Sequence, residues 1–442
     1  MKKNMHICVP HEHRKLQFRE PVWTDNRNSI LLKDRWSLEL HKTKLKLDIE
    51  PYVNEWDKFK KFSNNYELIH ISSNYRRKNE NIAFYIPLSR SFFKMWELIT
   101  DFKLLNSTSP IHTAHLAEGP GGFIEAVCKY RKLMGHFKDH FFGITLRSIE
   151  KEIPGWGKSD KFLISHPQIR VHYGKDGSGN LYNVQNIKEF CSAAGYNNCE
   201  LVTGDGGFDF SIDFNQQEVL SYRLLISQIY SSLLLVKKGG TIICKFFDTY
   251  HLLTIELIWI LSICFETLDI VKPNTSRLAN SERYFVAKNF LEAPIEILNY
   301  FENLLNNWKE KKYLYSILET CPPPEFMSLI KYYNSVHANN QLNAIKVTLN
   351  LIDKDTHTNN KIASKIESNL YTNILYAQTV KAIKWCIKYN ITINADCVYL
   401  KLLCPKKDEV LINYIKKNTN IKKRGNNKYK YGSSKNKSFN SN

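Results

Sequence analysis

Four charged residues stand where an ordinary surface charge is out of place, or where an apolar run ends. Lys245 interrupts the run T-I-I-C-K-F-F (241–247). A lysine among Ile, Cys and Phe is costly unless it is paired or lies at the open end of a strand; a snorkelling edge lysine is the alternative. Asp205 closes C-E-L-V-T-G-D (199–205) and is followed by Gly206-Gly207. Glu282 stands in N-S-E-R-Y-F-V-A (280–287), directly before an apolar stretch, and Lys94 lies in the helical pattern S-R-S-F-F-K-M-W-E-L-I (89–99). Taken singly, Lys94 reads as a helix-surface lysine, Asp205 as a turn residue and Glu282 as a capping or surface acid. Taken together, two amines and two carboxylates are a set that can move a proton, because a neighbouring cation lowers a lysine's pKa and neighbouring carboxylates raise it.

A glycine-rich turn, A-E-G-P-G-G-F (117–123), separates a strand pattern from the helical stretch I-E-A-V-C-K-Y-R-K-L-M. Glycines let a backbone turn tightly and approach a ligand, and the helix start offers free N–H groups to an anion. An ordinary strand–helix turn has the same composition. The turn is neither a Walker A loop, since no G-K-[ST] follows, nor G-x-G-x-x-G, which disfavours a dinucleotide. The next strand, H-F-F-G-I-T-L (140–146), lacks a terminal acid to hold a ribose. Asp176 in G-K-D-G-S-G-N (174–180) is the candidate, with a simple turn role as its alternative.

These residues need elements to position them. From about residue 79 to 292, apolar runs of strand length alternate with helical patterns: H-T-A-H-L-A-E (112–118), H-F-F-G-I-T-L, C-E-L-V-T-G-D and G-G-T-I-I-C-K-F-F (239–247). That alternation predicts an α/β fold with a parallel sheet covered by helices on both faces. Residues 1–78 read as a partly helical N-terminal extension, with a helix near Trp36–Phe62. Residues 293–405 read as a helical C-terminal region and 406–442 as a basic tail without periodicity, expected to be disordered. The run Leu252–Phe265 is too short for a bilayer and contains Glu256, so a buried helix is expected and no membrane role.

The 442 residues carry a net charge of +19, which favours a polyanionic partner. Lys416–Asn442 holds nine Lys or Arg and no acid, about half of that surplus. The ten cysteines are scattered without a C-x-x-C pair, and the start is polar rather than a secretory leader. An intracellular protein with reduced thiols is expected. His11-Glu12-His13 lacks the H-E-x-x-H spacing, and no metal is expected.

The segments together resemble the FtsJ-type ribose 2′-O-methyltransferases, whose catalytic groups run Lys, Asp, Lys, Glu. Beyond A-E-G-P-G-G-F, the likeness is carried by G-D-G-G-F-D (204–209), N-Q-Q-E (215–218), G-G-T-I-I-C-K-F-F-D (239–248) and K-P-N-T-S-R-L-A-N-S-E-R-Y-F-V-A-K (272–288), roughly half the chain. It is strongest to the cap-specific mRNA (nucleoside-2′-O-)-methyltransferases, including those of large DNA viruses, which would place the protein in host cytoplasm, viral factory or virion. The resemblance implies a Rossmann-like S-adenosylmethionine-dependent methyltransferase sheet. It puts Lys94, Asp205, Lys245 and Glu282 in the catalytic positions, with Lys245 the general base and Lys94 the alternative. By charge logic Lys94 would lower the pKa of Lys245, while Asp205 and Glu282 hold and orient both amines. Ser89, the loop Ala117, Glu118, Gly119, Pro120, Gly121, Gly122 and Phe123, and Asn180 and Leu181 fall where the family contacts S-adenosylmethionine. Relatives often carry Asn at the position of Ser89, and Glu118 varies and could only shape the loop. Lys272 and Arg277, beside Glu282, are candidate RNA contacts; Arg277 could equally be a structural ion-pair partner. The implied substrate is the capped 5′ end of mRNA, with other capping or transcription proteins as candidate partners. Ribosomal or other structured RNA is the alternative substrate, and a non-catalytic RNA-binding subunit the alternative class.

Overall fold

The computed structural model describes residues 5–9, 16–26, 34–71, 75–147, 155–207, 215–357 and 361–406. His11-Glu12-His13 and the basic tail lie outside the described residues. Two compact units separate: Met1–Asn64 with Pro87–Asn359, and Asn65–Ile86 with Asn360–Asn442.

The first unit is built on an eight-stranded sheet. Its strands are β1 (Met5–Ile7), β3 (His112–Leu116), β4 (His140–Ile144), β5 (Ile169–His172), β6 (Cys199–Gly204), β7 (Val236–Phe246), β8 (Phe265–Val271) and β9 (Arg283–Phe290), in the order β1-β8-β9-β7-β6-β3-β4-β5. The run β5-β4-β3-β6-β7 is parallel, as the apolar runs predict. Within this run the chain begins at β3, moves out through β4 and β5, then returns to β6 on the other side. The ends of β3 and β6 therefore flank a topological switch point, where open α/β sheets bind ligands.

β9 runs antiparallel between β7 and β8. This reversal matters for the site: the first residues of β9 lie beside the last residues of β7, with Lys245 paired to Tyr284 and Phe246 to Arg283.

Helices α3 (Ser91–Asp101), α4 (Gly122–Leu133), α6 (Val184–Ala194), α8 (Tyr222–Leu235) and α9 (Leu252–Cys264) alternate with these strands. The apolar run at 252–265 is the buried helix expected: every residue of α9 is buried. Glu218, from N-Q-Q-E, is a buried anchor for its start, accepting from the N–H groups of Tyr250 and His251 at 3.0 Å each. Among the described residues no helix is long and apolar enough to cross a membrane.

The ends of the chain differ from the expectation. The helical stretch near Trp36–Phe62 is two helices, α1 (Arg35–Lys44) and α2 (Tyr52–Phe59), divided by a short 3-10 turn and Pro51. The region after 293 is not wholly helical. It contains β10 (Tyr313–Leu318), which pairs antiparallel with β2 (Phe18–Thr24). β1 adds a further strand to the edge of the main sheet, beside β8. Strand pairing over such separations leaves no local periodicity to read. The compact units accordingly do not break at 78 or 292. The long helix α11 (Pro324–His357) packs on α1 and the 3-10 turn after it through Leu40, Leu47, Ala338, Leu342, Ile345 and Leu349. The second unit contains α12 (Lys361–Lys388) and a bridge between Ala83 and Ile393, with Asn394 bonded to the main chain of Lys78 and Asn81.

Candidate active site

The four charged residues come from four elements and meet at the carboxyl edge of the sheet. Lys94 projects from α3, and its Nζ lies 2.7 Å from Glu282 Oε2, just ahead of β9. Lys245, near the end of β7, donates to the main-chain oxygen of Asp205 at 2.7 Å and lies 3.3 Å from its Oδ1. Asp205 follows β6 and is fixed by its own N–H bonded to Leu116 O at 3.3 Å. Gly207 is part of this geometry, because a Cβ there would come within 2.9 Å of Lys245 Nζ.

Tyr284 joins the two ion pairs and was not anticipated. Its hydroxyl donates to Asp205 Oδ1 at 2.8 Å and lies 3.5 Å from Lys94 Nζ. A signal for it exists in the sequence: Tyr284 stands two residues after Glu282, and alternate strand positions face the same side. Its other face meets Phe123, with ring centroids 5.7 Å apart.

The electrostatics differ from the expectation in one respect. Burial favours the neutral form of Lys245, but Asp205 and Glu282 outweigh it and raise the pKa above the ordinary lysine value. The two carboxylates, not the Lys94 cation, decide the sign. Burial would likewise raise Glu282, but the ammonium groups of Lys94 and Lys245 hold it down to about 2. If Lys245 must be neutral to accept a proton, methyl transfer should rise with pH from about 6 to about 10, with no plateau near neutrality. Initial rates under conditions where chemistry limits would show this; a flat profile above neutrality would contradict it.

The glycine loop lies between β3 and α4. Gly121 adopts φ +102°, a conformation that favours glycine, and a Cβ there would strike the Trp156 ring at 2.7 Å. Gly122 packs against Ser89 and Ser91, whose hydroxyls a Cβ would meet at 2.2 and 2.1 Å. Ser89 is thus beside the loop, bonded to Ser91 Oγ at 2.6 Å. Gly119 N donates to Thr145 Oγ1 at 3.3 Å, and Ser159 Oγ bonds to Pro120 O, so neighbouring segments hold the loop in shape. Ala117 N donates to Ile144 O at 2.7 Å.

Several residues expected at the cofactor also have structural roles. Glu118 is buried beneath the loop, bonded to Thr203 and 3.2 Å from His115, and burial pushes its carboxyl pKa up. It shapes the loop from below. Phe123 is fully buried against Tyr284, and Leu181 belongs to the main core. Asp176 plays the turn role: Oδ1 accepts from Ser178 N and Asn186 Nδ2 at 2.9 Å each, and Oδ2 from Asn183 Nδ2 at 3.0 Å. Asn180 Oδ1 accepts from Tyr182 N at 2.9 Å, another turn contact.

Lys272 is not positioned for RNA. It is buried, and its ammonium donates at 2.8 Å to Asn280 O, Asn280 Oδ1 and Glu282 O. Burial lowers its pKa to about 7 against the pull of Glu282. Arg277 is partly exposed and, with Lys44, Trp56, Lys60, Gln217 and Gln341, lines a cavity of about 360 Å3. Among the described residues no group of three or more His, Cys, Asp or Glu could hold a metal ion.

A switch-point glycine loop, beside two lysines and two acids on an open α/β sheet, defines a Rossmann-like methyltransferase class. Residues 87–290 match the model of the FtsJ-like methyltransferases, and the chain carries an FtsJ-like methyltransferase domain over that span. The cap-specific mRNA (nucleoside-2′-O-)-methyltransferase 1 of Trypanosoma cruzi (strain CL Brener) is 33% identical over 244 residues, 53% of this chain and 65% of that protein. Its counterpart in Leishmania braziliensis is 32% identical over 246 residues, 54% of this chain and 60% of that protein. The counterpart in Xenopus laevis is 34% identical over 202 residues, 44% of this chain and 23% of that protein. The chain thus spans less than two thirds of the length of these relatives.

Proposed function

We propose that this protein transfers a methyl group from S-adenosylmethionine to the ribose 2′-hydroxyl of a 5′-terminal transcribed nucleotide of capped mRNA. One observation carries the reading: Lys94–Glu282 and Lys245–Asp205 meet through Tyr284 at the sheet's switch point, next to the glycine loop. The names of the matched relatives supply the substrate class.

The loop fits a donor with a flexible amino-acid arm and an adenosine. Ala117, Gly119 and Pro120 are only partly buried, the start of α4 follows, and the close packing at Gly122 leaves no room for a side chain. Residues 117–122, with Asn180 and the backbone at Leu181, would hold it. Bound there, the donor would supply an electrophilic methyl group to the ribose oxygen, its sulfur keeping the electron pair of the carbon–sulfur bond. Lys245, once neutral, accepts the 2′-hydroxyl proton. Asp205 fixes its amine, and Glu282 fixes Lys94, whose ammonium faces the oxygen as its negative charge develops. In-line positioning supplies much of the remaining acceleration.

The basic cavity holding Trp56 and Arg277 has the composition to receive the capped end, since an aromatic ring stacks on a base and cations meet phosphates. Trp56→Ala should raise the KM for capped RNA about tenfold with little change for S-adenosylmethionine, stacking being worth roughly 1–3 kcal/mol per base. The deciding assay is methyl transfer to short RNAs with and without a cap, followed by identification of the labelled nucleotide. Equal transfer to internal positions of uncapped structured RNA would defeat the cap reading. Deleting 416–442, with its nine cations, should weaken RNA binding and flatten its salt dependence. An unchanged salt slope would remove that role.

A further inference from the structure

We propose that Glu97 is a positioning residue of this site: it holds the loop 272–281 so that Ser276 and Lys94 together orient the Glu282 carboxylate. The proposal rests on the methyltransferase reading above and deepens it.

Arg90, at the N-cap of α3, and Lys94 and Glu97 within it are spaced four and three residues apart, so they lie on one face. All three point to the segment between β8 and β9. Arg90 Nη2 donates to Thr275 O at 3.3 Å, and Lys94 meets Glu282. Glu97 is 3% exposed. Its Oε1 accepts from the N–H and the side-chain amide of Asn274 at 2.7 Å each, and its Oε2 from the N–H and the hydroxyl of Thr275 at 3.2 and 3.3 Å. Four donors of one short segment therefore converge on a single buried carboxylate.

The next residue carries the contact into the site. Ser276 Oγ donates to Glu282 Oε1 at 2.8 Å, while Lys94 occupies Oε2. One oxygen of Glu282 is thus held directly from α3, and the other through the loop that Glu97 fixes. Lys272 ties the far end of the same loop through Asn280 and Glu282 O. Removing the Glu97 carboxylate would leave buried loop N–H groups without an acceptor, which favours rearrangement of the loop. Ser276 would then move away from Glu282.

A loss of orientation has a signature that a loss of fold does not. Glu282 is faced by Lys94 from α3, Lys245 from β7 and Lys272 after β8; Lys245 is faced by Asp205 and Glu282, with Cys244 adjacent in β7 and Tyr284 opposite in the β7–β9 register. Glu282 is one of the two carboxylates that raise the pKa of Lys245. With Glu282 turned away, the rising limb of the pH–rate profile should move to lower pH.

The test compares Glu97→Gln and Ser276→Ala in the full chain, by steady-state methyl transfer across pH and by calorimetry with S-adenosylhomocysteine. We expect kcat to fall roughly 30-fold or more for Glu97→Gln and about tenfold for Ser276→Ala. Cofactor affinity should stay within about twofold, and both rising limbs should shift to lower pH. Should Glu97→Gln fail to fold, Ser276→Ala decides, because it removes one hydroxyl and leaves the loop's other bonds in place. Wild-type kcat in the folded variants, or a lower rate with an unmoved pH midpoint, overturns the positioning role. Lys245→Ala serves as the control. If it is inactive while Glu97→Gln and Ser276→Ala behave as wild type, this inference alone fails; if it transfers methyl normally, the proton-transfer reading fails and takes the inference with it.

Discussion

Lys245→Ala should lower methyl transfer by about a thousandfold or more while S-adenosylhomocysteine binds within a few fold of wild type. A positioned general base contributes roughly 10²- to 10⁴-fold, and this substitution also removes the ammonium beside Asp205. The cofactor loop should be little affected, since Lys245 is held by Asp205 and not by residues 117–122. Lys245→Arg separates proton acceptance from charge. A guanidinium keeps the positive charge next to Asp205 but stays protonated throughout the accessible pH range. It should be about as inactive as alanine. Radiolabel transfer to capped RNA measures both variants, and substantial activity in the arginine variant would show that Lys245 acts as a charge and not as a base.

The second large effect is expected far from the charged centre. Gly179→Ala should weaken S-adenosylhomocysteine binding about a hundredfold, read by calorimetry. Gly179 sits at φ +70°, and a Cβ there would lie 1.9 Å from the main-chain oxygen of Thr145. That neighbour is backbone at the end of β4 and cannot swing aside. Overpacking typically costs about 1–3 kcal/mol, and a left-handed non-glycine residue about 1 kcal/mol more. Thr145 is also the link to the glycine loop, because its hydroxyl accepts from Gly119 N. Displacing it disturbs both walls of the expected cofactor cleft: the loop 117–122 on one side and the turn ending at Asn180 on the other. The turn itself is tightly bound, with Gly179 N on Tyr173 O at 2.6 Å and Arg147 N on Ser178 O at 2.7 Å. Unchanged cofactor affinity in a folded variant would mean that this turn is not part of the cleft.

The local pattern was enough for the elements. Apolar runs at 112–116, 140–144 and 199–204 are parallel strands, and the loop between a strand and the α4 pattern is where a switch-point sheet needs it. The buried helix at Leu252–Cys264 follows from its unbroken hydrophobicity. The helical character of 293–405 is likewise local, seen in α11 and α12, whereas β10 within it takes its partner from residues 18–24, a pairing with no local trace.

The site divides the same way. The residue types of Lys94, Asp205, Lys245 and Glu282 were set by sequence, since a charge inside or at the end of an apolar run is unfavourable without a partner. Which charges pair, and which way the lysine pKa moves, came from folding. The antiparallel entry of β9 brings Glu282 and Tyr284 to the end of β7, and α3 lays Lys94 over them. Lys272 shows the converse: beside Glu282 in the chain it looks like a free cation for phosphate, yet three loop oxygens enclose it. Sequence alone determined that this chain makes a covered parallel sheet with amines and acids at its strand ends, because periodicity and the cost of burying charge act locally. The tertiary structure decided the pairings, the buried supports and the electrostatic balance, because those depend on distances between residues remote in the chain.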